Sequence, residues 1–262
     1  MNRILRTFFI FLLLLSTRTA FAHNVDHGQN SSKNNGSYAA KKALPKNLAG
    51  LTAIQSMQYQ VPRQTSADLD TLYSQATDAQ DELALLLNMI TTQSHTQSVL
   101  ADIKSRDRAE AKVQNKLDND ASQLTDIVRA SIVSHDIHNL MQAFALLKSD
   151  CELIQVKNRF ASPKESGYRD LNLLVKLPES QMIAEVQLHL ADIAEIKSGV
   201  EHNVYEQVQT IQASAMQEQR NLSEIETTKI TQLRQASHKL YHKAWLKYKR
   251  NDQANIITAS AA

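Results

Sequence analysis

Between Val156 and Leu190 polar and apolar residues alternate in three successive runs, the pattern of strands that give one face to a core and the other to something else. In the last run Val186, Leu188 and Leu190 point one way, and Glu185, Gln187 and His189 the other. In the middle run Leu171, Leu173 and Val175 oppose Asp170, Asn172 and Lys176, and in the first Lys157 and Arg159 share a side away from Val156 and Phe160. The polar face is either a wet outer surface or the floor of a site built from carboxylates, amides and cations. Upstream, Leu69, Leu72, Ala76, Ala79, Leu83, Leu86 and Ile90 keep 3-4 spacing, with Ser66 as N-cap and Asp68 in the first turn. That predicts an amphipathic helix docked on its own domain, or a short coiled coil. Val99 to Asp120 reads as a second, polar helix, and Leu124 to Val133 has strand chemistry. A helix from His135 to Ser149 follows, with Ile137, Leu140, Met141, Phe144 and Leu147 on one side. Past Leu190 the chain reads as helical to about Lys249, with a break near Asn221 and Leu222. This order predicts an α/β fold: a mixed sheet of about four to five strands flanked by helices, with N- and C-terminal helical extensions.

The chain start changes the picture of where such a domain works. Arg3 and Arg6, the apolar run Phe8 to Leu15 and the small-x-small Ala20-Phe21-Ala22 form a signal peptide over residues 1–22. The run is too short to span a bilayer, so the expectation is export to the periplasm or secretion, with no transmembrane segment after cleavage. Residues 23–50 read as a disordered linker, 51–98 as an N-terminal helical segment, 99–215 as the sheet-bearing domain, 216–250 as a helical extension and 251–262 as a disordered tail. The net charge of +2 carries no strong polyanion signal. A single cysteine, Cys151, rules out an intramolecular disulfide and reads as a small buried hydrophobe. The pairs His135/His138 and His238/His242 have helical ligand spacing but no third ligand accompanies either. Near the end, Lys239, Lys243, Lys247 and Arg250 interleave with Tyr241, Trp245 and Tyr248. Such a segment binds RNA or a membrane surface, or packs its aromatic stripe on the domain with the lysines outside.

Several motifs stand in order along this pattern: Lys104-Ser105 with Lys112, Asp126-Ile127-Val128-Arg129-Ala130-Ser131-Ile132, Gly167-Tyr168-Arg169-Asp170, and Glu185-Val186-Gln187. Over about Lys104 to Tyr205 they resemble the synthetase domain of the RelA/SpoT family, whose patterns are R-x-K-[ST], D-I-x-G-x-R-V, G-Y-R and E-[IV]-Q. The resemblance implies a stand-alone, nucleotidyltransferase-like synthetase unit that uses Mg2+ and moves the terminal pyrophosphate of ATP onto a ribose 3′-hydroxyl. It makes Asp126 and Glu185 the catalytic and metal-binding acids, with Glu185 close to the attacking hydroxyl. Lys104 and Lys112, about two turns apart on a helix, would hold ATP phosphates. Tyr168 would stack on the acceptor base, and Lys157, Arg159 and Lys164 would lie near the acceptor phosphates. Gln187 and His202, with Tyr205, match the E-x-Q and A-H-x-x-Y elements.

Three departures bear on substrate. Asp102-Ile103-Lys104 lacks the arginine of R-x-K, so Arg106 or Arg108 would have to face the adenine. Gly167 to Asn172 reads GYRDLN where the family has GYRSLH, and Glu185 to Leu190 reads EVQLHL in place of EIQIRT. The expected function is an exported pyrophosphokinase acting on a guanine or other nucleotide, of the (p)ppGpp-forming alarmone type. The alternatives are toxin-like modification of the tRNA 3′ end and a catalytically silent secreted binding module. Export further implies delivery into another cell as an effector, against a partner the sequence does not identify.

Overall fold

The computed structural model describes residues 44–260, with side chains described to Ala254. The expected signal peptide, most of the linker and the last two residues lie outside the described residues. The chain forms α1 (Leu48–Ala53), β1 (Met57–Gln58), α2 (Leu69–Ser94), β2 (Gln97–Leu100), α3 (Arg106–Lys116), β3 (Arg129–Ser134), α4 (Ile137–Asp150), β4 (Glu152–Asn158), β5 (Leu171–Lys176), β6 (Ile183–Leu190), α5 (Ala191–Ser198), α6 (Val200–Gln217) and α7 (Glu224–Ser260). The mixed sheet expected from the sequence is present with six strands, in the order β1-β4-β5-β6-β3-β2. Only β3 and β6 run parallel; the other neighbours are antiparallel.

The long 3-4 pattern folds as the predicted helix, α2. Its cap is Asp68 rather than Ser66: the Asp68 carboxylate accepts from Thr71 N at 2.8 Å. The helix ends at His95, which takes a left-handed conformation (φ 54°). The segment after it differs from the polar helix expected from Val99. Gln97 to Leu100 are all exposed and form a strand because they pair with β3, from Gln97 opposite Val133 to Leu100 opposite Ala130. Helix begins only at Arg106, so Lys104 lies in the approach to α3 and not on it. Likewise Leu124 to Val128 are not strand. Leu124, Ile127 and Val128 are buried in a turn whose carbonyls accept from Lys104 N (Ile127 O) and Glu185 N (Val128 O).

One sheet face carries Ala130, Ile132, Val156, Leu171, Leu173, Val175, Val186 and Leu188, and buries them with Leu72, Leu83 and Ile90 of α2 and Leu140 and Leu147 of α4. The opposite face is not the wet surface that alternation allows. At one end it holds a second apolar cluster, Ile154, Leu174 and Ile183. At the other, Asp170, Asn172 and His189 are buried as well. The C-terminal helices supply the cover: Tyr241, Trp245 and Tyr248 of α7 are buried, while Lys239, Lys243, Lys247 and Arg250 are exposed. This is the packed form of the basic aromatic segment. Helix continues to Ser260, past the point where a disordered tail is expected, and at the other end α1 crosses the expected linker boundary at residue 50. Among the described residues no helix is long and apolar enough to cross a membrane.

A loop from Arg159 to Asp170 joins β4 to β5 and is pinned from both sides. Asn158 Oδ1 accepts from Phe160 N at 2.9 Å, Arg159 N donates to Asp170 O at 2.8 Å, and Arg169 Nη1 donates to Phe160 O at 2.7 Å. Phe160 packs on Trp245, whose ring also lies under the Arg169 guanidinium at 4.9 Å. Gly167, at φ +80°, faces α7 so closely that a Cβ would sit 3.1 Å from His238 Cδ2. Gly167→Ala therefore combines left-handed strain with crowding. It is expected to lower the unfolding free energy by about 1–2 kcal/mol in a urea titration.

Candidate active site

Glu185 comes from β6, the strand between β5 and β3. Its carboxylate borders two cavities, one of about 910 Å³ and one of about 290 Å³, and Asn172 of β5 is the other residue common to both walls. Asn172 Nδ2 donates to Glu185 Oε1 at 2.5 Å, leaving Oε2 without a hydrogen bond among the described residues. The smaller cavity continues over Lys112, Asp126, Lys157 and Arg63. The larger runs from Arg129 and Ser131 past Gln187 and Lys197 to Arg159, Lys164 and Tyr168, under Glu201, His202 and Tyr205 of α6 and Arg234 and Ser237 of α7.

Asp126 and Glu185 are thus brought to one chamber from separate parts of the chain. Both ammonium groups expected to face ATP converge on Asp126 instead: Lys104 Nζ lies 3.0 Å and Lys112 Nζ 2.9 Å from Oδ2. Burial would raise the Asp126 pKa, but Lys112 and Lys104 outweigh it and hold the carboxyl below its ordinary value. Its other oxygen, Oδ1, is buried without a hydrogen-bond partner. An orphaned carboxylate oxygen and the unbonded Oε2 of Glu185 form a donor set suited to a hard cation that takes its remaining ligands from phosphate and water. Among the described residues no cluster of three or more His, Cys, Asp or Glu side chains gathers; Asp126 and Glu185 are the acids that would hold Mg2+.

The larger cavity is organised by a buried network absent from the sequence reading. Asp170 is fully buried and accepts from Arg159 Nη1 at 2.7 Å and 3.0 Å on its two oxygens. The Tyr168 hydroxyl donates to Asp170 Oδ2 at 2.8 Å and lies 2.7 Å from His189 Nε2. The phenol has one proton, and Asp170 receives it, so Nε2 of His189 must carry a hydrogen and donate to the phenol oxygen. The two departures GYRDLN and EVQLHL therefore touch each other, Tyr168 linking Asp170 to His189. Burial raises the Asp170 pKa despite Arg159, and raises that of Tyr168 strongly. Burial, with Lys197 and Arg159 adding repulsion, drives His189 from 6.5 to about 3. The unfolded chain takes up a proton on this histidine near pH 6.5 while the folded chain refuses it, so stability falls as pH is lowered from about 6.5 toward about 3. Asp170 and Glu201, whose pKa values burial raises, work in the opposite sense as they take up protons on acidification. We expect urea midpoints to drop between pH 7 and pH 5 by up to about 1.4 kcal/mol per pH unit in unfolding free energy. His189→Gln is expected to flatten that profile.

Of the other residues expected at the site, Arg159 and Lys164 border the large cavity with Tyr168, although Arg159 is tied to Asp170. The Tyr168 ring is boxed between Lys164 Nζ at 5.4 Å and the edge of Tyr241 at 5.6 Å. Gln187 lines the cavity and accepts from Lys197 Nζ at 2.7 Å, and His202 sits at its rim, 3.2 Å from Glu206. Lys157 borders the smaller chamber and not the larger cavity. Arg106 and Arg108 line neither cavity: Arg106 binds Asp70 and Glu110 and lies over Tyr73, and Arg108 is exposed on α3. Lys197, Glu201, Arg234 and Ser237 reach the cavity from helices whose local sequence gave no sign of it. Glu201 is buried, accepts from the Tyr241 hydroxyl at 3.0 Å, and has its pKa raised by burial.

Residues 101–210 match a family profile described as the region found in RelA / SpoT proteins. Among curated proteins, GTP pyrophosphokinase YwaC of Bacillus subtilis (strain 168) is 24% identical, over 51% of this chain and 71% of that protein. Among solved structures, small alarmone synthetase 2 from Bacillus subtilis superposes with a TM-score of 0.50 at 20% identity, covering 70% of this chain and 99% of that one. Small alarmone synthetase 1 from Bacillus subtilis, solved bound to its product pppGpp, gives 0.50 at 16% identity, over 74% and 98%. At these identities the structural likeness is one of fold.

Proposed function

From a chain that carries a RelA/SpoT-family synthetase domain, we propose an ATP-dependent pyrophosphokinase that diphosphorylates the 3′-hydroxyl of a guanine nucleotide. The observation that carries this reading is the position of Glu185 on the wall common to both cavities. Sheet order brings Tyr168 and Asn172 to it from the β5 side, and Asp126 and Arg129 from the β3 side. An acceptor lying along Tyr168 presents its hydroxyl to Glu185, and a donor polyphosphate lying toward Asp126 presents its β-phosphorus.

In the reaction the acceptor 3′-oxygen forms a bond to the β-phosphorus of ATP while the bridging oxygen on the α-phosphate side departs with AMP. The hydroxyl proton passes to the Glu185 carboxylate. Asn172, bound to Oε1, orients that carboxylate. Mg2+ held by Asp126 and Glu185 would neutralise charge on the β- and γ-phosphates. Lys112 adds positive charge to the same wall, with Lys104 buried behind it on Asp126, and the chemistry rests on positioning and charge rather than on a covalent intermediate. Delivery by the N-terminal signal is part of the proposal and makes the destination a compartment other than the one of synthesis.

The test is to incubate the chain from His23 onward with Mg2+ and ATP labelled in its γ-phosphate, together with GDP, GTP, AMP, ATP or deacylated tRNA in turn. Label on a guanine nucleotide with release of AMP supports the reading. Label on RNA alone moves the acceptor to tRNA, and no labelled product with any acceptor counts against the enzyme.

A further inference from the structure

Three arginines border the large cavity, and two of them are neutralised: Arg159 by Asp170 and Arg234 by Glu165. Arg129 makes no side-chain hydrogen bond or ion pair with any described residue, and its Nε is buried without a partner. A partly buried guanidinium with no acceptor is costly, because it gives up water without replacing it. Its surroundings add to that cost, since Lys197 feels it as a like charge. An anion would relieve both.

The sheet register says where that anion would lie. Arg129 opens β3 and stands opposite Glu185 of β6 in the parallel pair, while Ser131, one same-face step along, stands opposite Gln187. All four line the cavity. β6 separates β3 from β5, so Arg129 stands on the opposite side of Glu185 from β5, bordering the larger cavity and not the chamber of Asp126.

We infer that Arg129 is a ligand of the group being transferred, gripping β- and γ-phosphate oxygens of the donor beside the carboxylate that receives the acceptor proton. The inference rests on the pyrophosphokinase reading and adds to it the residue that binds the donor's reacting end. Arginine suits the task because its planar fork presents paired N–H groups to phosphate oxygens and keeps its proton throughout. As charge redistributes over the equatorial oxygens, those hydrogen bonds strengthen.

Removing the side chain leaves no protein group unpaired, so Arg129→Ala is expected to melt within a few degrees of the parent. Two measurements then read the role. Calorimetric titration with Mg2+ and an ATP analogue carrying methylene between the α- and β-phosphorus reports donor binding without turnover; its affinity is expected to weaken by roughly tenfold in Arg129→Ala. The kcat for transfer is expected to fall about 10²–10³-fold with the acceptor KM little changed. Arg129→Lys, which keeps charge but not the fork, is expected to lie between. The exchange Arg129→Ser with Ser131→Arg keeps charge and face but moves the guanidinium from Glu185 to Gln187, and is expected to restore neither property. Unchanged analogue affinity, a rise confined to the acceptor KM, or recovery in the exchange variant overturns the inference. If the parent binds the analogue through Arg129 yet transfers nothing, the inference stands and the proposed activity fails. A parent that binds no analogue at all removes both.

Discussion

Glu185→Gln is expected to lower kcat by about 10³-fold while leaving the melting temperature nearly unchanged. The amide keeps an oxygen for Asn172 Nδ2, so the hydrogen bond that orients residue 185 survives. Lost are the proton acceptor and the negative charge beside the donor polyphosphate. Steady-state kinetics with ATP and the acceptor identified by labelling check the first part, and a thermal melt the second. Loss of stability on the same scale as loss of rate would make Glu185 a structural residue.

Asp170→Ala is expected to be strongly destabilising, at about 2–3 kcal/mol. It strips both acceptors from the partly buried Arg159 and the acceptor of the Tyr168 hydroxyl together. Lost charge-assisted hydrogen bonds to Arg159 and the unmet Tyr168 hydroxyl are the origin of the cost, which scanning calorimetry should register as a fall in Tm on the order of 10 °C. Asp170→Asn keeps the shape and a carbonyl oxygen for one of these donors, so it is expected to fall between the two.

What a reader of the chain can extract depends on whether the signal is local. Val186, Leu188 and Leu190 alternate with Glu185 and Gln187 because β6 has an apolar face against α2 and α4 and a mostly polar face toward the cavities. A strand period records that directly. The same holds for α2, whose buried Leu72, Ala76, Ala79, Leu83 and Ile90 are the ones the 3-4 spacing picks out. β2 left no such trace: its four residues are all exposed, and pairing with β3 alone makes them a strand. Lys104 and Lys112 could be selected by motif, but their convergence on Asp126 depends on the turn that precedes β3. Burial of Asp170 and His189 is imposed by α7, which arrives from far along the chain, and no window around either residue contains that helix. Arg106 and Arg108 were plausible by proximity in sequence alone, whereas Arg129 is singled out by what does not surround it.

The contact between Phe160, Arg169 and the indole of Trp245 has a practical corollary. The sequence contains one tryptophan, and it lies where α7 meets the loop that leads into Tyr168. Its fluorescence therefore comes from a single, known place. Any ligand that shifts the Arg159–Asp170 loop, or any condition that lifts the last helix away, will change the colour or quenching of that emission without an added label.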